Sequence, residues 1–271
     1  MKILLFFYKV IRVFTKPFAV LNSRLENKIN AYYQKQEQNV IIPIFPNRIE
    51  RDGFFEKINL ITHAGGGISG LAYLNCEQAF YHYYENGNKV FEYDVVQKGN
   101  GEYSLAHDQM ENNGLIDGRF KALTIEKCFN LLKANNDLIV IFDCKFNDLT
   151  DFANYVKNNL DETALDRVVI QVFSEENISQ VRKAYDFKML FVCMMDTDYL
   201  KAVDTCIKHK IGAVSISDKA IKERSGYQVF EKNNICSFIY TVNTSNRFKE
   251  IKELGMTGVF SDFLLNVEVK E

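Results

Sequence analysis

Short apolar runs, rich in β-branched and aromatic residues, recur from residue 59 onward: 59–64 (NLITHA), 90–96 (VFEYDVV), 137–145 (DLIVIFDCK), 167–173 (RVVIQVF), 188–194 (KMLFVCM), 212–217 (GAVSIS), 236–243 (CSFIYTVN) and 258–262 (GVFSD). Runs of this length and branching predict buried strands. Helix-like stretches separate most of them, at 76–86, 123–135, 149–160, 175–185, 197–209 and 245–254. Thr150 and Ser174 precede acidic first turns, as N-caps do. Gly87 and Gly255 follow two of the predicted helices, as left-handed C′ residues do. Eight strands alternating with helices predict an α/β chain folded as a (β/α)8 barrel over residues 56–271. A doubly wound open sheet is the alternative. The chain has no GxGxxG or P-loop sequence, and Gly65-Gly66-Gly67 lacks a following Lys-Ser/Thr, which removes the usual ligand sites of that alternative.

The N-terminal segment, residues 1–55, has a different pattern. Its first 25 residues carry Lys2, Lys9, Arg12, Lys16 and Arg24 and no acid, with Ile3, Leu4, Phe6, Phe7, Val10, Ile11, Val13 and Phe14 between them. On a helix the cations fall near one side, with Leu5 the exception. Such a basic amphipathic helical extension fits the interface of an anionic membrane. A helix capping the barrel or packing on a partner fits the same pattern. Lys9 and Arg12 interrupt any signal-peptide core, and no A-x-A site follows, so secretion is the weaker expectation. Residues 26–50 read as a connector, and all three prolines, Pro17, Pro43 and Pro46, lie before residue 47.

Composition narrows the class. The 271 residues are 47% hydrophobic and 25% charged, as in an ordinary globular protein. The 33 basic and 35 acidic side chains nearly cancel, which argues against a nucleic-acid partner. No uncharged apolar run is long enough for a transmembrane helix. The six cysteines form no CxxC pair and sit mostly in apolar runs, the usage of buried reduced thiols in a cytosolic enzyme. The expected location is cytoplasmic, with peripheral membrane contact through residues 1–25.

The C-terminal ends of barrel strands carry catalytic groups. The apolar runs place His63, Glu92 and Asp94, Asp143 and Lys145, Gln171, Thr241 and Asn243, and Asp262 near those ends. Glu92 and Asp94 are two apart and share a face of their strand, with Tyr93 on the other; Asp143 and Lys145 repeat the relation. Carboxylates crowd a barrel mouth only at a cost unless a cation offsets them. Three carboxylates and a lysine therefore fit a hard-cation site for Mg²⁺ or Ca²⁺. Strand-end ion pairs, with Lys145 on Glu92 or Asp94, explain the same residues without a metal. His82 in YHYY and His209 between two lysines read as surface or packing residues. His63, before three glycines, and His107, beyond the Glu92/Asp94 strand, are the two histidines that could serve as acid and base on a phosphate ester.

The order His63-Ala-Gly-Gly, Asn75-x-x-x-Ala79-Phe80, Phe91-Glu92-Tyr93-Asp94-Val95, His107-Asp108, Asp143-Cys-Lys145, Thr241-Val242-Asn243 and Gly258-Val-Phe-Ser-Asp262 resembles the glycerophosphodiester phosphodiesterase family over residues 58–265. That family shares the phosphatidylinositol-specific phospholipase C-like barrel. The resemblance implies that His63 and His107 are catalytic, that Glu92, Asp94 and Asp143 hold one divalent cation, Mg²⁺ or Ca²⁺, and that Lys145 faces the phosphate. Gln171 and Asn243 are further candidates for substrate or phosphate binding. The implied reaction is attack on phosphorus by a hydroxyl of the substrate, protonation of the leaving alkoxide, and opening of a cyclic phosphate by water. Deacylated phospholipids, lysophospholipids and glycerol-phosphate polymer units are the implied substrates.

Four departures mark the chain within that pattern. Ala64 replaces the arginine of the usual His-Arg-Gly and so removes a bidentate phosphate contact. Leu74-Asn75-Cys76 stands for Glu-Asn-Thr, Asp143 for a glutamate, and Tyr240 for a tryptophan. The His-Ala-x-Gly-Gly start and Asp-x-Lys motif resemble a bacterial subgroup. Cyclisation or transfer without hydrolysis, and a non-catalytic barrel that binds phosphorylated ligands at a membrane, are the competing functions.

Overall fold

The computed structural model describes residues 44–269, apart from 46, 100, 108–110, 113–114, 117, 194–198 and 219–224. The basic extension expected over residues 1–25 lies outside the described residues. Residues from Ile44 onward belong to one compact unit.

The parallel strands are β1 (Leu60–Thr62), β2 (Val90–Gln97), β3 (Ile139–Cys144), β4 (Val168–Val172), β5 (Lys188–Cys193), β6 (Ala213–Ser217), β7 (Cys236–Tyr240) and β8 (Gly258–Ser261). Each pairs with the next, β8 returns to β1, and the Thr62–Phe91 pairing joins β1 to β2, so the sheet closes. The helices α1 (Glu77–Glu85), α2 (Ile125–Ala134), α3 (Thr150–Asn159), α4 (Glu175–Ala184), α5 (Tyr199–Lys208), α6 (Ser225–Lys232), α7 (Ser245–Glu253) and α8 (Asn266–Val269) alternate with them. This is the (β/α)8 barrel that the alternation predicted.

Two-residue alternation sorts the strands into an interior and an exterior. Ile61, Val90, Ile141, Val169, Leu190, Ala213, Phe238 and Phe260 fill the interior as one buried cluster. Burying a side chain such as Phe238 is worth about 1.5–3 kcal/mol. A short helix at Gly53–Glu56 sends Phe55 into the same cluster, edge-on to Phe238 at 6.3 Å. The barrel interior is thus packed solid, and only its mouth is open to chemistry.

The caps follow local chemistry. The Ser174 hydroxyl accepts from the Asn177 amide at the start of α4. Thr150 is not the N-cap of α3 but its first residue; the Asp148 carboxylate accepts from its amide at 2.9 Å instead. Gly87 and Gly255 have φ of 90° and 89°, the left-handed C′ conformation expected of them.

Sequence patterning missed two features. α6 begins Ser225-Gly226, a poor helix start whose glycine weakens the signal. The connection from β2 to β3 carries the strand Tyr103–Leu105, antiparallel to β2, and a small sheet of the two-residue strands Glu111–Asn112, Leu115–Ile116 and Phe120–Lys121. Strands that short show no periodicity. Two strands also end early. β1 stops at Thr62 because His63–Gly65 forms a 3₁₀ turn, with Ala64 at φ 46°. β7 stops at Tyr240, after which Val242 donates to the Phe260 carbonyl. All six cysteines are buried free thiols. Among the described residues no helix is long and apolar enough to cross a membrane.

Candidate active site

One step above the packed cluster, the barrel interior turns polar. Glu92 and Asp94 on β2, Asp143 on β3, Gln171 on β4 and Ser215 on β6 meet His63, His107 and Lys145 around a cavity of about 280 Å³. Tyr73, Phe173, Val192, Tyr240, Thr241 and Phe260 complete its lining. The cavity sits at the C-terminal ends of the strands, where this fold places chemistry. Tyr93, between Glu92 and Asp94, points the other way, with its ring against Gly65.

The acidic wall arises from register. Asp94 pairs directly with Asp143 across β2 and β3. Oxygens of Glu92, Asp94 and Asp143 all lie within 4.8 Å of one another. Lys145 bridges two of these groups, at 2.7 Å from Asp94 and 2.5 Å from Asp143. The Ala64 amide donates to Glu92 Oε2 at 2.7 Å. The Asn75 side chain donates to Asp94 Oδ2 and accepts from the Asp94 amide, at 3.0 and 3.2 Å.

These contacts do not satisfy the wall. Glu92 Oε1 and Asp143 Oδ1 are buried with no hydrogen-bond partner. Burial, and then the neighbouring Asp94 charge, push the Glu92 carboxyl up to about 8. Burial also raises Asp143, against the pull of Lys145. Three carboxylates with oxygens this close together, two of them with an unpartnered oxygen, form an oxygen-donor set for a hard divalent cation. The residues present therefore fit such an ion, and the ion pairs of Lys145 account for only part of the wall.

His63 joins the acidic wall to the far end of the chain. Its Nδ1 contacts Asp262 Oδ1 at 2.7 Å, and its Nε2 lies 3.9 Å from Glu92 Oε2. Burial works against a charge on this imidazole, but the Asp262 hydrogen bond and the Glu92 and Asp94 fields outweigh it and raise His63 to about 9. Burial would lift Asp262 as well; hydrogen bonds from His63 and Asn243 hold it below the usual carboxylate range. His107 reaches the cavity from the extra strand, where the Ala106 amide donates to the Asp94 carbonyl at 3.1 Å.

The structure brings seven of the eight candidate residues to one cavity: His63, His107, Glu92, Asp94, Asp143, Lys145 and Gln171. Asn243 is not in the lining. Its amide donates to Asp262 Oδ2 at 2.8 Å, and its oxygen accepts from the Ser261 hydroxyl and the Asp262 amide. Two substituted positions also turn inward: Ala64 and Leu74 are buried, and neither lines the cavity. His82 is exposed, and His209 pairs with Glu175 at 3.2 Å, away from the site. Asp262 is a strand-end carboxylate by sequence, but its contact with His63 depends on barrel closure, which no local pattern shows. Tyr73, Ser215 and Phe173 gave no sequence signal, because nothing in a loop or an apolar run marks a side chain as facing a mouth.

The closed (β/α)8 barrel thus carries a carboxylate triad, a lysine and two histidines at its mouth. Residues 142–266 match the glycerophosphoryl diester phosphodiesterase family. The matched span holds Asp143, Lys145, Gln171, Asn243 and Asp262, whereas His63, Glu92, Asp94 and His107 precede it. Solved structures share the fold. A glycerophosphodiester phosphodiesterase from Thermotoga maritima is 18% identical, with a TM-score of 0.60, over 76% of this chain and 94% of the other. One assigned to the same activity from Galdieria sulphuraria is 15% identical with a TM-score of 0.64, over the same shares. An Oleispira antarctica phosphodiesterase, solved with the product sn-glycerol-3-phosphate, is 12% identical with a TM-score of 0.59, over 76% of this chain and 93% of the other. No curated protein matches the chain in sequence.

Proposed function

We propose that the chain hydrolyses a glycerol phosphodiester, with one divalent cation held by Glu92, Asp94 and Asp143 and with His63 and His107 as the proton-transfer pair. The observation that carries this reading is the pair of orphaned buried oxygens, Glu92 Oε1 and Asp143 Oδ1, in a cluster of three carboxylates beside a buried histidine. A bound Mg²⁺ or Ca²⁺ supplies positive charge to polarise the phosphate oxygens.

The chain's own groups divide the remaining work. Lys145 sits at the edge of the wall and presents its ammonium to a phosphate entering the cavity. Asp262 fixes His63 through Nδ1, which leaves Nε2 directed at the cavity. One imidazole takes the proton from a neighbouring hydroxyl of the glycerol unit as its oxygen bonds to phosphorus. The other gives a proton to the departing alkoxide as its P–O bond breaks. Water then opens the cyclic phosphate with the two roles exchanged. Gln171 offers a neutral amide to a substrate hydroxyl or phosphate oxygen. Asn243, committed to Asp262 and Ser261, serves the site by holding Asp262.

The substrate class is a glycerophosphodiester: a deacylated phospholipid, a lysophospholipid or a glycerol-phosphate polymer unit. The shared fold of the Oleispira antarctica phosphodiesterase, solved with the product sn-glycerol-3-phosphate, supports the glycerol-phosphate portion. The basic first 25 residues would bring this cytoplasmic enzyme to an anionic membrane, which co-sedimentation with anionic vesicles against neutral ones tests.

The deciding experiment is phosphorus NMR on a glycerophosphodiester panel with Mg²⁺, with Ca²⁺ and with EDTA, repeated with His63→Ala and His107→Ala. Metal-dependent formation of a phosphomonoester, lost in both variants, is the expected result. A cyclic phosphate that persists would replace hydrolysis by cyclisation. Activity that survives both changes would overturn the histidine roles.

A further inference from the structure

Tyr73 lies between the two cavity histidines. Its ring meets His63 edge-on at 5.1 Å between centroids and His107 at 4.6 Å with a 57° tilt. The side chain lines the cavity and is 45% exposed, unusual for a large aromatic group held against two others. Its backbone is also unusual. Tyr73 has φ 59°, a left-handed conformation that disfavours residues with a Cβ. A strained backbone that carries an exposed ring into a candidate site points to a function for the ring.

The segment that presents Tyr73 is tightly held. Ile68 and Leu71 exchange two backbone hydrogen bonds at 3.0 Å. The Asn75 amide donates to the Ala64 carbonyl at 2.9 Å, and the Asn75 side chain grips Asp94. The anchor on one side of Tyr73 is therefore the carboxylate wall itself. His107 follows a three-residue strand paired with the C-terminal end of β2, and the Ala106 amide beside it donates to the Asp94 carbonyl at 3.1 Å. The ring of Tyr73, which also meets His63, is one of its contacts at the cavity.

From this geometry we propose that Tyr73 is a positioning residue: its aromatic ring, not its hydroxyl, sets where the His107 imidazole stands relative to His63. The catalytic consequence rests on the proton-transfer roles proposed above; the positional claim does not. Displacement of a proton-transfer group by about 1 Å is enough to lower turnover on the order of 100-fold. The effect of Tyr73 on the reaction runs chiefly through the His107 imidazole, so its removal should cost little further once that imidazole is gone.

The test pairs a positional readout with a kinetic one. Histidine-labelled protein would be followed by carbon–proton NMR, with the His107 resonance assigned from its loss in His107→Ala. In the wild type and in Tyr73→Phe, the aromatic neighbour should displace that resonance from the free-histidine position. In Tyr73→Leu it should move to that position. In parallel, kcat should fall about 10- to 100-fold in Tyr73→Leu with KM little changed, and Tyr73→Phe should restore it. In a His107→Ala background, Tyr73→Leu should add little further loss. A His107 resonance unmoved by Tyr73→Leu would overturn the proposal, as would an equal added loss in the His107→Ala background. If His107→Ala itself is fully active, the catalytic role of His107 falls, and a crystal structure of Tyr73→Leu, in which the imidazole should leave its wild-type place, still decides whether Tyr73 holds the ring.

Discussion

Asp262 Oδ1 stands 2.7 Å from His63 Nδ1, a contact between residues 199 apart that ties the last barrel strand to the first. Each partner depends on the other. The imidazole gains an acceptor that fixes its orientation, and the carboxylate gains a donor that offsets its partial burial. Asn243 completes the arrangement by donating to the second Asp262 oxygen. A chain of three side chains from β8, the β7–α7 turn and the end of β1 thus aims one imidazole edge at the carboxylate wall.

Loss of that chain should slow turnover without abolishing substrate binding. Asp262→Asn keeps the shape but offers a weaker, uncharged acceptor, so kcat should fall on the order of 10²-fold or more, the scale of a general acid–base contribution. Asn243→Ala should show a smaller loss in the same direction. Steady-state kinetics would measure both, and kcat within threefold of wild type in Asp262→Asn would refute the orienting role.

The carboxylate wall predicts stabilisation by metal. A cation that binds only the folded chain adds about 2.7 kcal/mol at a concentration 100 times its Kd. For a domain of this size that is roughly 5–10 °C in Tm. Calorimetry with Mg²⁺ and with Ca²⁺ should show the rise in wild type and lose it in Glu92→Gln and Asp143→Asn. A rise of equal size in both variants would remove these carboxylates from the site.

The metal-free protein should become less stable as pH rises from about 6 to 9. Burial, then Asp94, raises the Glu92 carboxyl from 4.5 to about 8 in the folded chain. His63 goes from 6.5 to about 9, because Asp262 and Glu92 outweigh its burial. Both folded-state values lie above the ordinary ones, so the folded chain binds more protons than the unfolded chain in this window. Stability from these groups is full at lower pH and is lost as pH passes the folded values. The lowered Asp262 acts in the opposite sense, but only at acid pH. Added divalent cation should flatten the slope, so its effect on Tm should be larger at pH 8.5 than at pH 6.5. Tm that climbs across this window in EDTA would contradict the account.

Gly66 should tolerate no side chain. It has φ +94°, and a Cβ there would fall 2.3 Å from the Tyr83 ring. The Tyr83 hydroxyl is bonded to the Gly67 and Asp262 carbonyls, so a displaced ring would disturb the strand end that carries Asp262. Gly66→Ala should cost on the order of 1–3 kcal/mol, the scale of a strained backbone site, and should also lower activity. Urea unfolding measures the first effect. A midpoint equal to wild type would show that the turn can relax.

Periodicity determined the barrel. A strand buried on both faces must be a short run of branched apolar residues, and a helix against it must carry a longer amphipathic pattern, so the order of elements is written locally. Alternation also placed Glu92 with Asp94 and Asp143 with Lys145, since residues two apart share a face whatever the partners are. Tertiary structure alone decided the rest. Register set Asp94 beside Asp143, and barrel closure brought Asp262 to His63. The Asn75-anchored loop carried Tyr73 between two imidazoles, and Asn243 turned from the cavity to Asp262. These are distances between residues far apart in sequence, fixed by strand pairing and packing, and no local pattern encodes them.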